Sequence, residues 1–479
     1  MSKHYGLMVP GADTVGSPLR VFAPYDGELL AEVDTVDWQG ADTALNTAQQ
    51  LFEDRANWLT AEQRIQILQT AADLMGREAT RLTDIATREG GKPLIDSRVE
   101  MARAIDGINL CIQCIRTAHG TEVPMGLNAA SMNRLAFTQR EPIGVVVAFS
   151  AFNHPINLIV HQIAPAIAAG CPVIVKPAND TPMSCYELIQ LFHEAGLPAQ
   201  WCQVLSTTGH DVSEALASDP RVGFFSFIGS AEVGWMLRSK LAPGTRCALE
   251  HGGIAPVLLA EDADLDTAIP LLAKGGFYHA GQVCISVQRV FAHRSIADKV
   301  ATSLASAGAD MSVGDPSLES TDIGPMIRHR ELERVHQSVM DAIDNGAKLL
   351  SGGEKISASC YPPTVLLEPP ADADVSCTEV FGPVICVYSF DDIDDAICRA
   401  NALDFAFQAA VFTHNIDTAL HAYRQLAAST VVVNDHTAFR VDWMPFAGLR
   451  HSGHGTGGIP HTFADMQIEK MLVIKSPSL

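Results

Sequence analysis

From residue 143 onward, short β-branched runs alternate with longer helical stretches, and this rhythm limits the possible folds more than any other feature of the chain. IGVVVAFS precedes PINLIVHQIAPAIAAG, CPVIVKP precedes TPMSCYELIQLFHEAG, and the pattern continues through WCQVLST and VGFFSFIGS. Strand and helix alternating at this spacing imply βαβ crossovers and a mostly parallel sheet. A second block starts near Pro256 with VLLAE and runs through VQRVFAHRS, PPTVLLEPP, FGPVICVYSF, FQAAVFTH and STVVVND. The expected fold is α/β, with two Rossmann-like parallel-sheet domains that bind ligands beyond the carboxyl ends of their strands. Residues 41–118 read as helices, with Met101, Ile105, Ile108, Ile112 and Ile115 on one apolar stripe. Residues 1–120 and 143–252 are assigned to the first domain and 253–450 to the second. Two pieces, 121–142 and 460–479, look like strands in search of partners. The acidic run DDIDD (391–395) reads as a solvated helix start.

Composition narrows the function classes. With 479 residues and 47% apolar content, the chain can bury two or three cores. A formal net charge of -22 disfavours nucleic acid, whose phosphates require a clustered basic surface. Eleven scattered cysteines, an odd number, argue for a reducing compartment, and the cytoplasm is the expected location. There is no signal-peptide core and no run near the roughly 18 apolar residues of a membrane span, so no membrane partner is expected. Cys111-x2-Cys114 lacks a second ligand pair nearby and is read as two helix cysteines, so no metal site is assigned.

Several short stretches can carry chemistry, each with a plain structural alternative. Cys284 in HAGQVCIS is either a packed thiol or a nucleophile. Glu250 in ALEHGG can act as a general base on water or sit in a salt bridge. Asn153 in SAFNHP can donate to an oxyanion or cap the helix that follows. Lys176 closes the buried run VIVKP, where it can meet nucleotide groups or simply end a strand. Gly229-Ser230 and Gly234 in FFSFIGSAEVG either present helix N–H groups to a pyrophosphate or make a tight turn.

Taken in order, SAFNHP, KPANDTP, FIGSAEVG, LEHGG, GQVC, EVFGP and PFAGLRHSG resemble the motifs of the aldehyde dehydrogenase superfamily across nearly the whole chain. The resemblance implies that Cys284 is the nucleophile, Glu250 the general base and Asn153 the oxyanion donor. It also implies NAD or NADP as cofactor. Lys176 and Gly209 would lie along the adenosine, Gly229, Ser230 and Val233 against the pyrophosphate, and Glu379 with Phe381 around the nicotinamide ribose. Phe149, Ser150, Phe152, Asn179 and Gly252 would complete the cofactor site. On this basis the first domain is the cofactor-binding domain, the second the catalytic domain, and the two strand pieces an arm that makes a homodimer or homotetramer. Two other outcomes of the fold are a branch that passes the thioester to coenzyme A and a non-catalytic binding protein. Glu250 opposes the first, since the acylating branch often lacks this base, and the full catalytic set opposes the second.

Departures from the family pattern concern cofactor and substrate. Asn179 stands where many NAD-preferring relatives carry glutamate, leaving no carboxylate to repel a 2′-phosphate, so NADP is expected alongside NAD. His251 replaces a usual leucine, Ile254-Ala255 a commonly polar pair, and Ala151-Phe152 the usual Pro-Trp. FRVDWMPFAG (439–448) looks like FRVDHMPFGG of the lactaldehyde and phosphonoacetaldehyde dehydrogenase branch. That branch gathers an anionic head group with side chains matching Arg103, His154 and Arg440, but its further arginine is Val283 here. Arg103 lies about 200° around its helix from Met101 and its stripe, and the structural alternative for Arg440 is a pair with Asp442. The expected substrate is a small acidic or polar aldehyde.

Overall fold

The computed structural model describes residues 2–479. The first alternating block forms a six-stranded sheet in the order Gly453–His454, Arg246–Glu250, Val222–Ile228, Val145–Phe149, Val173–Lys176, Cys202–Val204. Every pairing is parallel except that of the edge strand Gly453–His454, which returns antiparallel to Arg246–Glu250. Val145–Phe149 is buried at all five positions, as a strand covered on both faces must be. The helix Asn157–Ala169 is buried throughout, because the helices Ala61–Arg77 and Leu94–Thr117 pack over its outer side. The stripe expected on Leu94–Thr117 faces this core, where Met101, Ile108 and Ile112 are buried and Ile105 and Ile115 partly so. Cys111 joins the same core, with Cys114 packed against it.

The second block forms a seven-stranded sheet: Lys348–Ser351, Thr364–Leu367, Val384–Phe390, Val287–His293, Ala255–Leu259, Gln408–Phe412, Thr430–Val433. Only the edge strand Lys348–Ser351 runs antiparallel to its neighbour. The acidic run does begin a helix, Ile393–Asn401, with Asp392 accepting from the Asp394 N–H. Arg134–Pro142 pairs antiparallel with Gln467–Lys475 along its whole length, and Glu122–Val123 adds a third strand. The stretch expected as strand from residue 460 starts differently. Residues Ile459–Asp465 form a helix whose Ile459 and Phe463 enter the first core, and the strand begins only at Gln467. Among the described residues no helix is long and apolar enough to cross a membrane.

Candidate active site

The carboxyl ends of the first sheet's parallel strands bring together most of the residues singled out in the sequence. Phe149 and Lys176 end neighbouring strands and pair in register, Ile228 precedes Gly229 and Ser230, and Glu250 ends the next strand. Ser230 caps the helix Ala231–Arg238, its Oγ accepting from the Val233 N–H at 3.5 Å. The second glycine of this turn, Gly234, serves packing: a Cβ there would lie 1.9 Å from Cε1 of His251. The His251 ring sits between Phe227 and Trp235, and its Nδ1 donates to the Gly229 carbonyl at 3.0 Å. A histidine in place of leucine thus ties the turn at Gly229 to the strand end that carries Glu250.

Cys284 lies in a loop whose approach is conformationally costly. His279 and Ala280 adopt φ of 51° and 53°, left-handed values that non-glycine residues rarely hold, and Gly281 continues the turn. Gln282 keeps the loop in place, since its Oε1 accepts from the Ile327 N–H and its Nε2 reaches the His279 and Pro325 carbonyls. Cys284 is partly buried beside a small apolar cluster of Val283, Ile285, Phe407 and Phe446. Burial first, and the Glu250 charge second, push its thiol above the ordinary range, while Arg440 opposes both. Burial likewise raises the Glu250 carboxyl, against the pull of Arg440.

Asn153 is not a helix cap. Its Nδ2 donates to the Gln282 carbonyl at 2.9 Å, which fixes the amide beside the cysteine loop and leaves its second N–H free of that bond. Capping of Asn157–Ala169 falls to Glu100, whose Oε1 accepts from the Ile156 and Asn157 N–H groups at 2.8 Å each. The other Glu100 oxygen pairs with Lys92, which also donates to the Asn153 carbonyl at 3.3 Å. Both side chains of this pair are 1% exposed. Lys92→Met would strand the Glu100 charge, and the expected loss is about 3–5 kcal/mol of stability. Denaturant unfolding of the variant against wild type checks this.

The three residues expected to gather an anion are treated unequally. Arg103 is neither solvated nor free: Nε and Nη2 grip Asp442 at 3.0 and 2.7 Å. Asp442 also accepts from the His161 Nε2–H at 2.7 Å and from Asn157 Nδ2 at 3.4 Å, so it is engaged by other donors and does not pair with Arg440. With Nε2 donating, His161 Nδ1 is an acceptor, and it faces Arg440 Nη2 at 3.4 Å. Burial holds His161 neutral, its pKa pushed down to about 4. His154 is also kept neutral by burial, reinforced by the cations around it, so it brings no charge. Arg440 remains: 8% exposed, stacked 3.6 Å from the centroid of the Phe446 ring, with Nη1 3.5 Å from Glu250. Its buried Nε has no partner among the described residues. The sequence reading missed His161, Lys92, Glu100 and the anchoring role of Gln282. A charged residue interrupting a buried helical stripe, such as Glu100 beside Met101, was the available signal.

Nucleotide chemistry fits the groups left unsatisfied. Glu379 Oε1 is buried without a partner among the described residues, and burial pushes its carboxyl up to about 8. This carboxylate occupies the space over Gly252, where a Cβ would come within 1.6 Å of Oε1. Ser150 Oγ is likewise unpartnered. Lys176 Nζ makes only 3.4 Å contacts, to the Pro177 carbonyl and Asn179 Oδ1, and burial lowers it to about 8. Phe152 and Phe381 meet edge to face at 6.0 Å. Gly209 begins the helix His210–Ser218 beyond the short strand Ser206–Thr207.

Paired parallel sheets whose strand ends gather a thiol, a carboxylate and unsatisfied polar groups have the layout of a nucleotide-dependent enzyme. The aldehyde dehydrogenase family model matches residues 12–472, and the chain belongs to that family. It is 37% identical over 473 residues to the 3-sulfolactaldehyde dehydrogenase of Priestia aryabhattai, with 98% of each chain covered. That similarity agrees with the lactaldehyde-like branch expected from FRVDWMPFAG. Aldehyde dehydrogenase 21 from Physcomitrella patens, solved with the reaction product succinate, has a TM-score of 0.95 at 30% identity, covering 99% of each chain. The glyceraldehyde-3-phosphate dehydrogenase of Methanocaldococcus jannaschii, complexed with NADP, has a TM-score of 0.92 at 33% identity over 96% of this chain and 100% of that one. The protein is an aldehyde dehydrogenase that uses NAD or NADP.

Proposed function

We propose that the chain oxidises a small anionic aldehyde, bearing a sulfonate or carboxylate, to the corresponding acid. Cys284 Sγ bonds to the aldehyde carbon as the thiol proton passes to solvent and the C=O electron pair moves onto oxygen. The oxyanion accepts from the free Asn153 N–H and the Cys284 backbone N–H. When bound, NAD or NADP supplies the hydride acceptor, and loss of hydride from the former aldehyde carbon as the oxyanion collapses leaves a thioester on Cys284. Lys176, Asn179 and Gly209 hold its adenosine, Gly229, Ser230 and Val233 its pyrophosphate, and Glu379 and Phe381 its nicotinamide ribose, with Phe149, Ser150, Phe152 and Gly252 lining the path. Water then adds to the thioester carbon while Glu250 takes its proton. The C–S bond breaks, and the second water proton returns to sulfur, releasing carboxylate and the Cys284 thiol, while Glu250 gives its proton to solvent.

In this reading residues 1–120 and 143–252 carry the cofactor and 253–450 the nucleophile. The arm strands, with Phe137, Met471, Leu472 and Val473 exposed, join subunits into a homodimer or homotetramer. The scattered, free cysteines support a reducing compartment and hence the cytoplasm as the proposed location.

The observation that carries the substrate class is Arg440, a buried guanidinium with an unpartnered Nε, stacked on a ring of the cluster that packs against Cys284. Forked donors suit sulfonate or carboxylate oxygens. Relatives acting on 3-sulfolactaldehyde or crystallised with succinate support the same class. Hydrogen bonds to a charged group contribute about 1.5–3 kcal/mol, so kcat/KM should favour anionic over matched neutral aldehydes by about ten- to a hundredfold. Arg440→Gln should remove that preference. A variant that keeps it would show that the head group binds elsewhere.

A further inference from the structure

Arg440 faces two ways. One side of its guanidinium, Nε, is buried and unpartnered, while Nη1 lies 3.5 Å from a Glu250 carboxylate oxygen. Its position is set from behind by a chain of contacts: Arg103 grips Asp442, Asp442 accepts from the His161 Nε2–H, and His161 Nδ1 accepts from Arg440 Nη2. The Phe446 ring closes one face. Arg440 is thereby held where it can reach both the aldehyde's head group and the carboxylate that must activate water.

We propose that Arg440 is a shared cation, engaged with Glu250 until an anionic head group takes its charge, so that the substrate itself releases the general base. The idea rests on the anionic-aldehyde reading. The chemistry is that of the hydrolytic step. While Arg440 stays on Glu250, the carboxylate is a poorer proton acceptor, because transferring a proton to it means giving up an ion pair. Once sulfonate or carboxylate oxygens neutralise the guanidinium, Glu250 can take the water proton as the new C–O bond forms. Arg440 is thus a positioning residue for the base. Charged and titratable groups around Glu250 are Arg440, on the loop after Thr430–Val433, Arg103 on Leu94–Thr117, and the Cys284 thiol. Glu379 is near enough to that thiol for its charge to raise it as well. His161 and His154 are held neutral by burial, and Arg103 is committed to Asp442. Arg440 is therefore the cation whose engagement a substrate can change.

The test is the pH dependence of acyl-enzyme hydrolysis in single turnover, with matched anionic and neutral aldehydes. A base must be deprotonated to act, so the rate falls as pH drops through the pKa of Glu250. Neutralising Arg440 raises that pKa, and the acid limb for the anionic substrate should lie higher by about one pH unit. In Arg440→Gln the two limbs should coincide. Methanesulfonate added with the neutral aldehyde should move the limb upward in wild type and not in the variant. Limbs that coincide in wild type, with methanesulfonate also inert, overturn the shared-cation proposal even if kcat/KM favours anionic aldehydes. Conversely, a limb moved by methanesulfonate without any anionic preference in kcat/KM upholds the sharing and removes the substrate reading.

Discussion

Cys284→Ala is expected to lower aldehyde oxidation by at least about 10⁴-fold, the scale seen when a covalent nucleophile is removed. No neighbour is expected to take over, because the amide proposed as the oxyanion donor is held by the cysteine loop. Asn153 is bound to the Gln282 carbonyl, two residues before the thiol. The substitution should leave the loop standing. Gln282 anchors it through the Ile327 N–H and two carbonyls, and Thr437 Oγ1 donates to the Ile285 carbonyl beyond it. Cofactor affinity, measured by fluorescence titration, should stay within about a factor of a few of wild type, since alanine removes only the thiol and leaves the backbone and side-chain anchors of the loop in place. Loss of activity together with loss of cofactor binding would mean that the thiol is structural.

Glu250→Gln should separate the two halves of the reaction. The amide keeps the shape but cannot accept the water proton, and general-base catalysis contributes typically about 10²–10⁴-fold. Steady-state turnover should fall by that amount. The first turnover should still reduce cofactor, leaving an acyl-enzyme and a stoichiometric burst. The Arg440 contact explains why glutamine is preferable to alanine here: it keeps an oxygen near Nη1 and does not leave the buried guanidinium facing a cavity. Equal loss of burst and turnover would assign Glu250 to the first step instead.

Sequence legibility followed the range over which each signal acts. Strands such as Val145–Phe149 and Val384–Phe390 were readable because buried parallel strands are short apolar runs, a property confined to a few residues. The positions of Lys176 at a strand end and of Ser230 at a helix start were readable for the same reason. Pairings between distant segments were not. The structural alternative for Arg440 was a pair with Asp442, two residues away, yet Asp442 is held by Arg103 and His161, 339 and 281 positions from it. The plain alternative for Asn153, a helix cap, rested on proximity alone, but Glu100 reaches that helix from the layer above. His154 looked like part of a cationic pocket, since residue type alone says nothing of the burial that keeps the ring neutral. The tail's helix Ile459–Asp465 was hidden because it is short and ends where a longer apolar strand begins.

The central claim is that an acyl group passes through Cys284, and intact-mass analysis of Glu250→Gln tests it most directly. The variant is mixed with cofactor and a small sulfonate- or carboxylate-bearing aldehyde, then quenched in acid and digested. One acyl group per chain is expected, mapped to the peptide holding Cys284 and released by thiol exchange as a thioester is. Cofactor reduction without an adduct, or an adduct on another cysteine, would contradict it.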